Sequence, residues 1–210
     1  MKTQVVVIHG GDAFSTHEEY LQFLQDFPLT IEHVRPKRDW KSFLPDALGA
    51  EYDVLAPIMP NKSNAQFSEW RLWFEKMFPF LEDGVILIGH SLGGMFLAKY
   101  LAEYTFPRRI GALLLVAAPH NHTSDVGNFA LPESLNGVVR QAEKIFLFHS
   151  TDDDVVPHSE LSEYAKQLPH ADVRSFSDRK HLNQHAFPEL VHCITDLKNT
   201  EPDPAAAQMR

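Results

Sequence analysis

Residues 89–93 carry the strongest chemical signal in the sequence. They read Gly-His-Ser-Leu-Gly and match the pattern G-x-S-x-G, in which a serine lies on a sharp turn between a strand and a helix. The apolar run 85–88 before the motif favours a strand, and the segment 92–104 after it favours a helix. Such a turn exposes the hydroxyl and points free N–H groups of the helix towards it. The motif predicts that Ser91 is a nucleophile, with a helix-capping serine as the alternative.

A nucleophilic serine needs a base and an acidic residue that orients the base. In chains with this motif, the acid and then a histidine follow the serine, on loops at the carboxyl ends of later strands. The predicted strand 145–149 leads into three aspartates, of which we take Asp153 as the acid, with Asp152 and Asp154 as close competitors. Three adjacent carboxylates cannot all be buried and ionised without partners, so at least one should face water.

The base must be chosen among 12 histidines. Those that follow the acidic loop are His158, His170, His181, His185 and His192. We predict His181, because it comes just after the last predicted strand, at the edge of the sheet where the acid lies. His181 and His185 also have the spacing of a zinc-protease motif, but Leu182 replaces the glutamate that this motif requires. We therefore expect no metal.

The first predicted strand leads into a Gly-Gly-Asp sequence. In hydrolases with this motif, the loop after an early strand donates one N–H group to the oxyanion, and the residue after the nucleophile donates another. We therefore predict an oxyanion hole made by the backbone amides of Gly11 and Leu92. Asp12, His90 and His120 lie beside the predicted site or on the longest loop at this edge, and we expect them to contact the substrate.

Short apolar runs alternate with segments of helical spacing, a pattern typical of a parallel sheet covered by helices on both faces. The predicted strands are residues 4–9, 53–57, 85–89, 112–117, 145–149 and 171–176, with a weaker candidate at 30–35. The predicted helices are residues 16–27, 64–78, 92–104, 159–168 and 187–197. The aromatic stripe of helix 64–78 favours core packing over a ligand platform. We expect a doubly wound, mostly parallel α/β sheet of six or seven strands.

The composition limits the classes of protein to which this chain can belong. Of the 210 residues, 44% are apolar and 22% are charged, and the formal net charge is −9. This charge disfavours a nucleic-acid partner, and no apolar run reaches the roughly 18 residues of a membrane helix. The single cysteine, Cys193, excludes an intramolecular disulfide and a four-cysteine zinc site. We expect a cytoplasmic protein with one domain, residues 1–198, and a disordered tail, residues 199–210.

The chain resembles the α/β-hydrolase superfamily and, within it, the small serine hydrolases related to retinoblastoma-binding serine hydrolase. The resemblance rests on the His-Gly-Gly end of the first strand, the elbow around Ser91, the Ser-Thr-Asp-Asp sequence that ends at Asp153, and the His-Leu pair at His181. A Pro-Asn pair followed by Trp70 belongs to the same pattern. It implies a triad of Ser91, Asp153 and His181, with no lid domain and no cofactor. The glycine usual before the histidine is Lys180 here.

We therefore expect hydrolysis of small carboxylic esters or amides through an acyl-enzyme on Ser91. Transacylation and peptide hydrolysis would use the same residues and stay open, as does a non-catalytic binding or scaffold protein on this fold. Residues 119–135 form the longest predicted loop at the active edge, and we expect a short pocket wall rather than a lid. Such an open site favours short acyl chains, because it buries few CH₂ groups.

Overall fold

The computed structural model describes residues 2–36, 38–121 and 126–199. A six-stranded sheet forms its centre, made of β1 (Thr3–Ile8), β2 (Tyr52–Leu55), β3 (Val85–His90), β4 (Ile110–Val116), β5 (Ile145–Ser150) and β6 (Asp172–Phe176). The strand order is β2-β1-β3-β4-β5-β6, and neighbouring strands pair in parallel throughout. The order reverses between β1 and β3, so the predicted doubly wound sheet is confirmed. In such sheets, ligands bind outside the carboxyl ends of the strands at this reversal.

Helices cover both faces of the sheet. They are α1 (His17–Asp26), α2 (Ile31–Val34), α3 (Trp40–Leu48), α4 (Phe67–Glu75), α5 (Leu92–Glu103), α6 (Asn136–Gln141), α7 (Ser159–Gln167) and α8 (Pro188–Asn199), with 3₁₀ turns at Phe78–Phe80 and Gly127–Phe129. On one face of the sheet, a core cluster contains residues of α4, α5, α6 and α7. On the other face, a second cluster contains residues of α3 and α8. Among the described helices, none combines the length and the apolar character that a membrane crossing requires.

The aromatic stripe of α4 packs in the core, as its helical spacing predicts. Phe67, Trp70 and Phe74 are buried, and the rings of Trp70 and Phe74 both contact Phe96 of α5 edge to face. Helix α1 differs, because none of its residues is buried. It is held at its start by a capping box, in which Thr16 and Glu19 bond each other's backbone N–H groups. Similar apolar spacing thus serves the core in α4 and an outer surface in α1.

The weaker strand prediction at 30–35 is wrong, because this segment forms α2. Thr30 precedes the helix, and its backbone N–H donates to the ring of His33 at 3.1 Å. Ile31 and Val34 are 63% and 60% exposed. Local capping therefore favours the helix, since the described sheet takes no strand from this segment and these two apolar side chains are exposed. Helices α3 and α6 were not predicted, although Trp40, Leu44 and Leu48 recur every four residues, which is a helical signal.

The predicted tail largely falls outside the described residues. Asn199, its first residue, is the last residue of α8. The remaining residues, 200–210, lie beyond the described part of the chain.

Candidate active site

Ser91 lies on the turn between β3 and α5, at the reversal of strand order. Its φ of 54° is in the left-handed region, a strained conformation for a residue with a side chain. Its N–H donates to the carbonyl of Val116 at 2.8 Å, and its own carbonyl accepts from Gly94 at 2.8 Å. A Cβ atom on Gly89 would lie 2.5 Å from the Cα of Gly94. The glycines of the motif therefore allow strand and helix to approach closely around the serine.

His181 and Asp153 are in contact on the loops that follow β6 and β5. His181 Nδ1 lies 2.9 Å from Asp153 Oδ2 and 3.1 Å from Oδ1. Oδ1 also accepts the backbone N–H groups of Val155 and Val156, at 2.9 and 3.0 Å. Burial by itself would raise the pKa of Asp153, but hydrogen bonds from His149, His181 and these two amides hold it well below its usual range. Asp153 is therefore an ionised carboxylate facing the imidazole.

Asp152 binds the backbone of the histidine loop instead of the imidazole. Its Oδ1 accepts hydrogen bonds from the Ser150 hydroxyl at 2.5 Å, the Lys180 N–H at 3.0 Å and the Arg179 N–H at 3.2 Å. Lys180 has a φ of 49°, in the left-handed region that favours glycine. Asp152 thus fixes the turn before His181 at the position where the family resemblance leads us to expect glycine.

Among the three competing aspartates, the structure brings Asp153 to the histidine. Asp152 is occupied by the loop backbone, and Asp154 is exposed. The side chain of Asp153 is fully buried. The contacts and exposure of the three side chains therefore distinguish candidates for the acid that the sequence left as alternatives.

The loop after β1 passes directly beside Ser91. A Cβ atom on Gly10 would lie 2.9 Å from the Cβ of Ser91. The Asp12 N–H donates to the carbonyl of Lys62 at 2.8 Å, which fixes the loop just beyond Gly11. Within the described residues, the N–H groups of Gly11 and Leu92 donate to no protein acceptor. Both amides predicted for the oxyanion hole are therefore available at this edge.

A cleft of about 200 Å³ opens over Ser91. Its apolar walls include Phe14, Phe23, Leu92, Pro119, Val126, Val155 and Val156. Pro119 and Val126 belong to the loop predicted as a pocket wall, of which residues 122–125 lie outside the described chain. Phe14 and Phe23 line the cleft but were not predicted as site residues. The apolar stripe of α1 was a usable signal, but its spacing does not show whether a helix faces the core or a cleft.

His90 and His120, predicted to contact substrate, do not line the cleft. His90 is 3% exposed, and its Nε2 donates to the carbonyl of His181 at 2.9 Å. Burial above all, with the charges of Lys41 and His181, holds the pKa of His90 well below its usual value. The His120 ring packs edge to face on Tyr164 with centroids 5.1 Å apart. Both side chains point into packed layers behind the site, and His90 supports the histidine loop from there.

Side chains suited to metal binding do not converge in the described part of the chain. No group of three or more His, Cys, Asp or Glu residues is placed to hold an ion there. His185, which has zinc-protease spacing to His181, packs its ring on Phe43 with centroids 3.9 Å apart.

The sheet order, the strained serine after β3 and the loops that follow it define an α/β-hydrolase. Solved structures of 18% and 14% identity share the fold. The ydeN gene product from B. subtilis has a TM-score of 0.69 and covers 95% of this chain and 100% of its own. Est1E from Butyrivibrio proteoclasticus has a TM-score of 0.54 and covers 94% of this chain and 87% of its own.

The serine hydrolase family model matches residues 33–190, and the chain belongs to this family. The chain is similar to rat serine hydrolase RBBP9, with 29% identity over 154 residues, which are 70% of this chain and 78% of the relative. The range matched by the family model, residues 33–190, contains Ser91, Asp153 and His181. It begins after the loop that carries Gly11, so the first wall of the cleft lies outside the family match.

Proposed function

We propose that this serine hydrolase cleaves small carboxylic esters or amides through an acyl-enzyme on Ser91. The observation that carries the proposal is the contact between His181 and Asp153 beside the serine turn. The ring of His90, one residue before Ser91, bonds the carbonyl of His181. A nucleophile, a base and an orienting carboxylate thus lie at one edge of the sheet.

In the proposed reaction, His181 Nε2 takes the proton of Ser91 Oγ as this oxygen attacks the acyl carbon. Asp153 accepts the Nδ1–H of His181, which leaves Nε2 free to act as base and stabilises the imidazolium that forms. The amides of Gly11 and Leu92 bind the oxyanion, and each such donor contributes roughly 3–4 kcal/mol. His181 then protonates the leaving alcohol or amine, and a water molecule repeats the sequence to release the acid.

The size of the cleft supports a short acyl group. About 200 Å³ beside Ser91 leaves little room for a long chain in contact with the walls. Each buried CH₂ group contributes only about 0.8 kcal/mol, and only when it leaves water. We therefore propose acetyl to butyryl esters as the preferred acyl range.

Labelling with a fluorophosphonate probe tests the nucleophile, because this probe reacts with activated serines. The wild-type chain should be labelled at Ser91, whereas Ser91→Ala should be neither labelled nor active on 4-nitrophenyl esters. Ser68→Ala, which changes an exposed serine on α4, is the matched control and should behave as wild type. Activity above a few per cent in purified Ser91→Ala would exclude Ser91 as the nucleophile.

A further inference from the structure

Asp12 is the one charged residue among the described residues that line the cleft. It follows Gly11, and its backbone is held on both sides, because its N–H donates to Lys62 and its carbonyl accepts from Ala65, each at 2.8 Å. Its side chain is exposed to the cleft. Across the described residues, the carboxylate accepts no hydrogen bond and forms no ion pair within 4 Å. A fixed loop therefore presents an unpaired carboxylate beside Ser91.

A carboxylate at this position opposes the hydrolysis of a plain ester. In the proposed reaction, the carbonyl oxygen becomes anionic beside the Gly11 amide, and a second negative charge one residue away raises the energy of that state. Loss of water around Asp12 raises the pKa of its carboxyl, and the charge of Lys62 acts in the opposite direction. A positive group on the substrate would weaken the repulsion between Asp12 and the oxyanion, and it would also lower the pKa of Asp12.

The aromatic walls near Asp12 suit the same kind of group. Phe14 and Phe23 both line the cleft, with ring centroids 5.1 Å apart. An alkylammonium ion joins a positive head to an apolar body, and aromatic faces attract such cations. An anionic acyl group would instead meet Asp12, on a chain whose net charge is −9.

We infer that the cleft selects esters or amides that carry an ammonium group close to the scissile bond, with Asp12 as the specificity-determining residue. The inference rests on the proposed function, because that function makes the cleft the substrate site. It concerns a segment that precedes residue 33, where the family match begins. The preference would therefore depend on the loop after β1 and on α1, which lie outside the matched range.

Two pairs of substrates with matched shapes test the charge preference. Ethyl 3-aminopropanoate and ethyl butanoate differ in the acyl part, and acetylcholine and 3,3-dimethylbutyl acetate differ in the alcohol part. For each pair, the ratio of kcat/KM for the cationic and the neutral ester is measured in wild type and in Asp12→Asn. We expect this ratio to fall roughly fivefold to tenfold in Asp12→Asn for at least one pair, a modest change because Asp12 is exposed. The pair that responds shows which part of the substrate faces Asp12.

Glu18→Gln is the matched control, because it removes one exposed carboxylate from α1 and leaves the cleft intact. It should keep the wild-type ratio for both pairs. The wild-type preference should also weaken as salt is raised from 0.05 to 0.5 M, since exposed charges are screened (roughly 14 to 4 Å in Debye length). An unchanged ratio in Asp12→Asn for both pairs would overturn the inference, while hydrolysis dependent on Ser91 would still support the proposed function.

A binding measurement separates the inference from catalysis. Choline and 3,3-dimethyl-1-butanol are titrated into Ser91→Ala, with and without Asp12→Asn, and followed by NMR shifts of the backbone amides of residues 10–14. Tighter binding of choline that depends on Asp12 supports the inference even if no ester is hydrolysed. Equal binding of both alcohols, or binding that ignores Asp12, contradicts it.

Discussion

Asp152 and Asp153, on the loop after β5, are expected to have different roles that substitution can separate. Asp153→Asn keeps the size of the side chain but replaces one acceptor oxygen by an NH₂ group. Both oxygens of Asp153 lie within 3.1 Å of His181 Nδ1, and Oδ2 lies 3.3 Å from His149 Nε2. His149 Nε2 carries a proton, because it bonds the carbonyl of Val156 at 2.9 Å. The new NH₂ group must therefore face a donor or change the tautomer of His181.

This geometry sets the size of the expected effects. If His181 takes the wrong tautomer, kcat falls by roughly 10⁴-fold. The lost acceptor inside a fully buried site also lowers the free energy of unfolding by about 1–3 kcal/mol. In Asp152→Asn, the carbonyl oxygen still accepts from the Lys180 and Arg179 amides, so kcat should fall less than about tenfold. Asp152→Ala removes the acceptor and should lower kcat roughly 10- to 100-fold with little change in KM.

Steady-state kinetics on 4-nitrophenyl acetate and urea unfolding of the same preparations measure these effects. Hydrogen exchange at the Lys180 and Arg179 amides reports the loop directly, and it should speed up in Asp152→Ala but not in Asp152→Asn. Asp154→Asn is the control and should match wild type, since Asp154 is exposed. The assignment is wrong if Asp152→Asn proves more damaging to kcat than Asp153→Asn, because Asp152 would then be the acid.

Four further outcomes are expected. Prolonged dialysis against a strong chelator should leave esterase activity unchanged, whereas a metal centre would lose it. The free energy of unfolding should fall as the pH drops below about 6.5, by up to about 1.4 kcal/mol per pH unit. The reason is that His90 binds a proton in the unfolded chain but stays neutral when it is buried in the folded chain. In urea unfolding across pH 5–7.5, His90→Gln should show a shallower dependence of this free energy on pH. Lys180→Gly should raise the free energy of unfolding by about 0.5–1 kcal/mol, since its φ is 49°, and an unchanged urea midpoint would argue against strain there. Activity on 4-nitrophenyl esters should peak between acetyl and butyryl, and a kcat/KM that rises up to palmitoyl would point to an apolar channel instead.

Much of the fold follows from the sequence because its signals are local. Strands buried on both faces need continuous apolar runs, and four of the six strands, β1, β3, β4 and β5, contain one. The turn at Ser91 needs glycines next to a strand and a helix, and all three features lie within about 20 residues of one another. Chain order then leads to the loops that carry Asp153 and His181, because a parallel sheet brings the carboxyl ends of its strands to one edge.

Tertiary structure alone decides which neighbouring side chain reaches the site. Asp152 and Asp153 differ by one position, yet one binds a backbone turn and the other an imidazole. His90 and His120 carry the chemistry of a substrate contact, but their neighbours in the fold bury them behind the cleft. Phe23 shows the converse, because this residue of an apolar helical stripe lines the cleft instead of the core. Spacing along the chain fixes which residues share a face, whereas what that face meets depends on segments far away in sequence, and these come together only on folding.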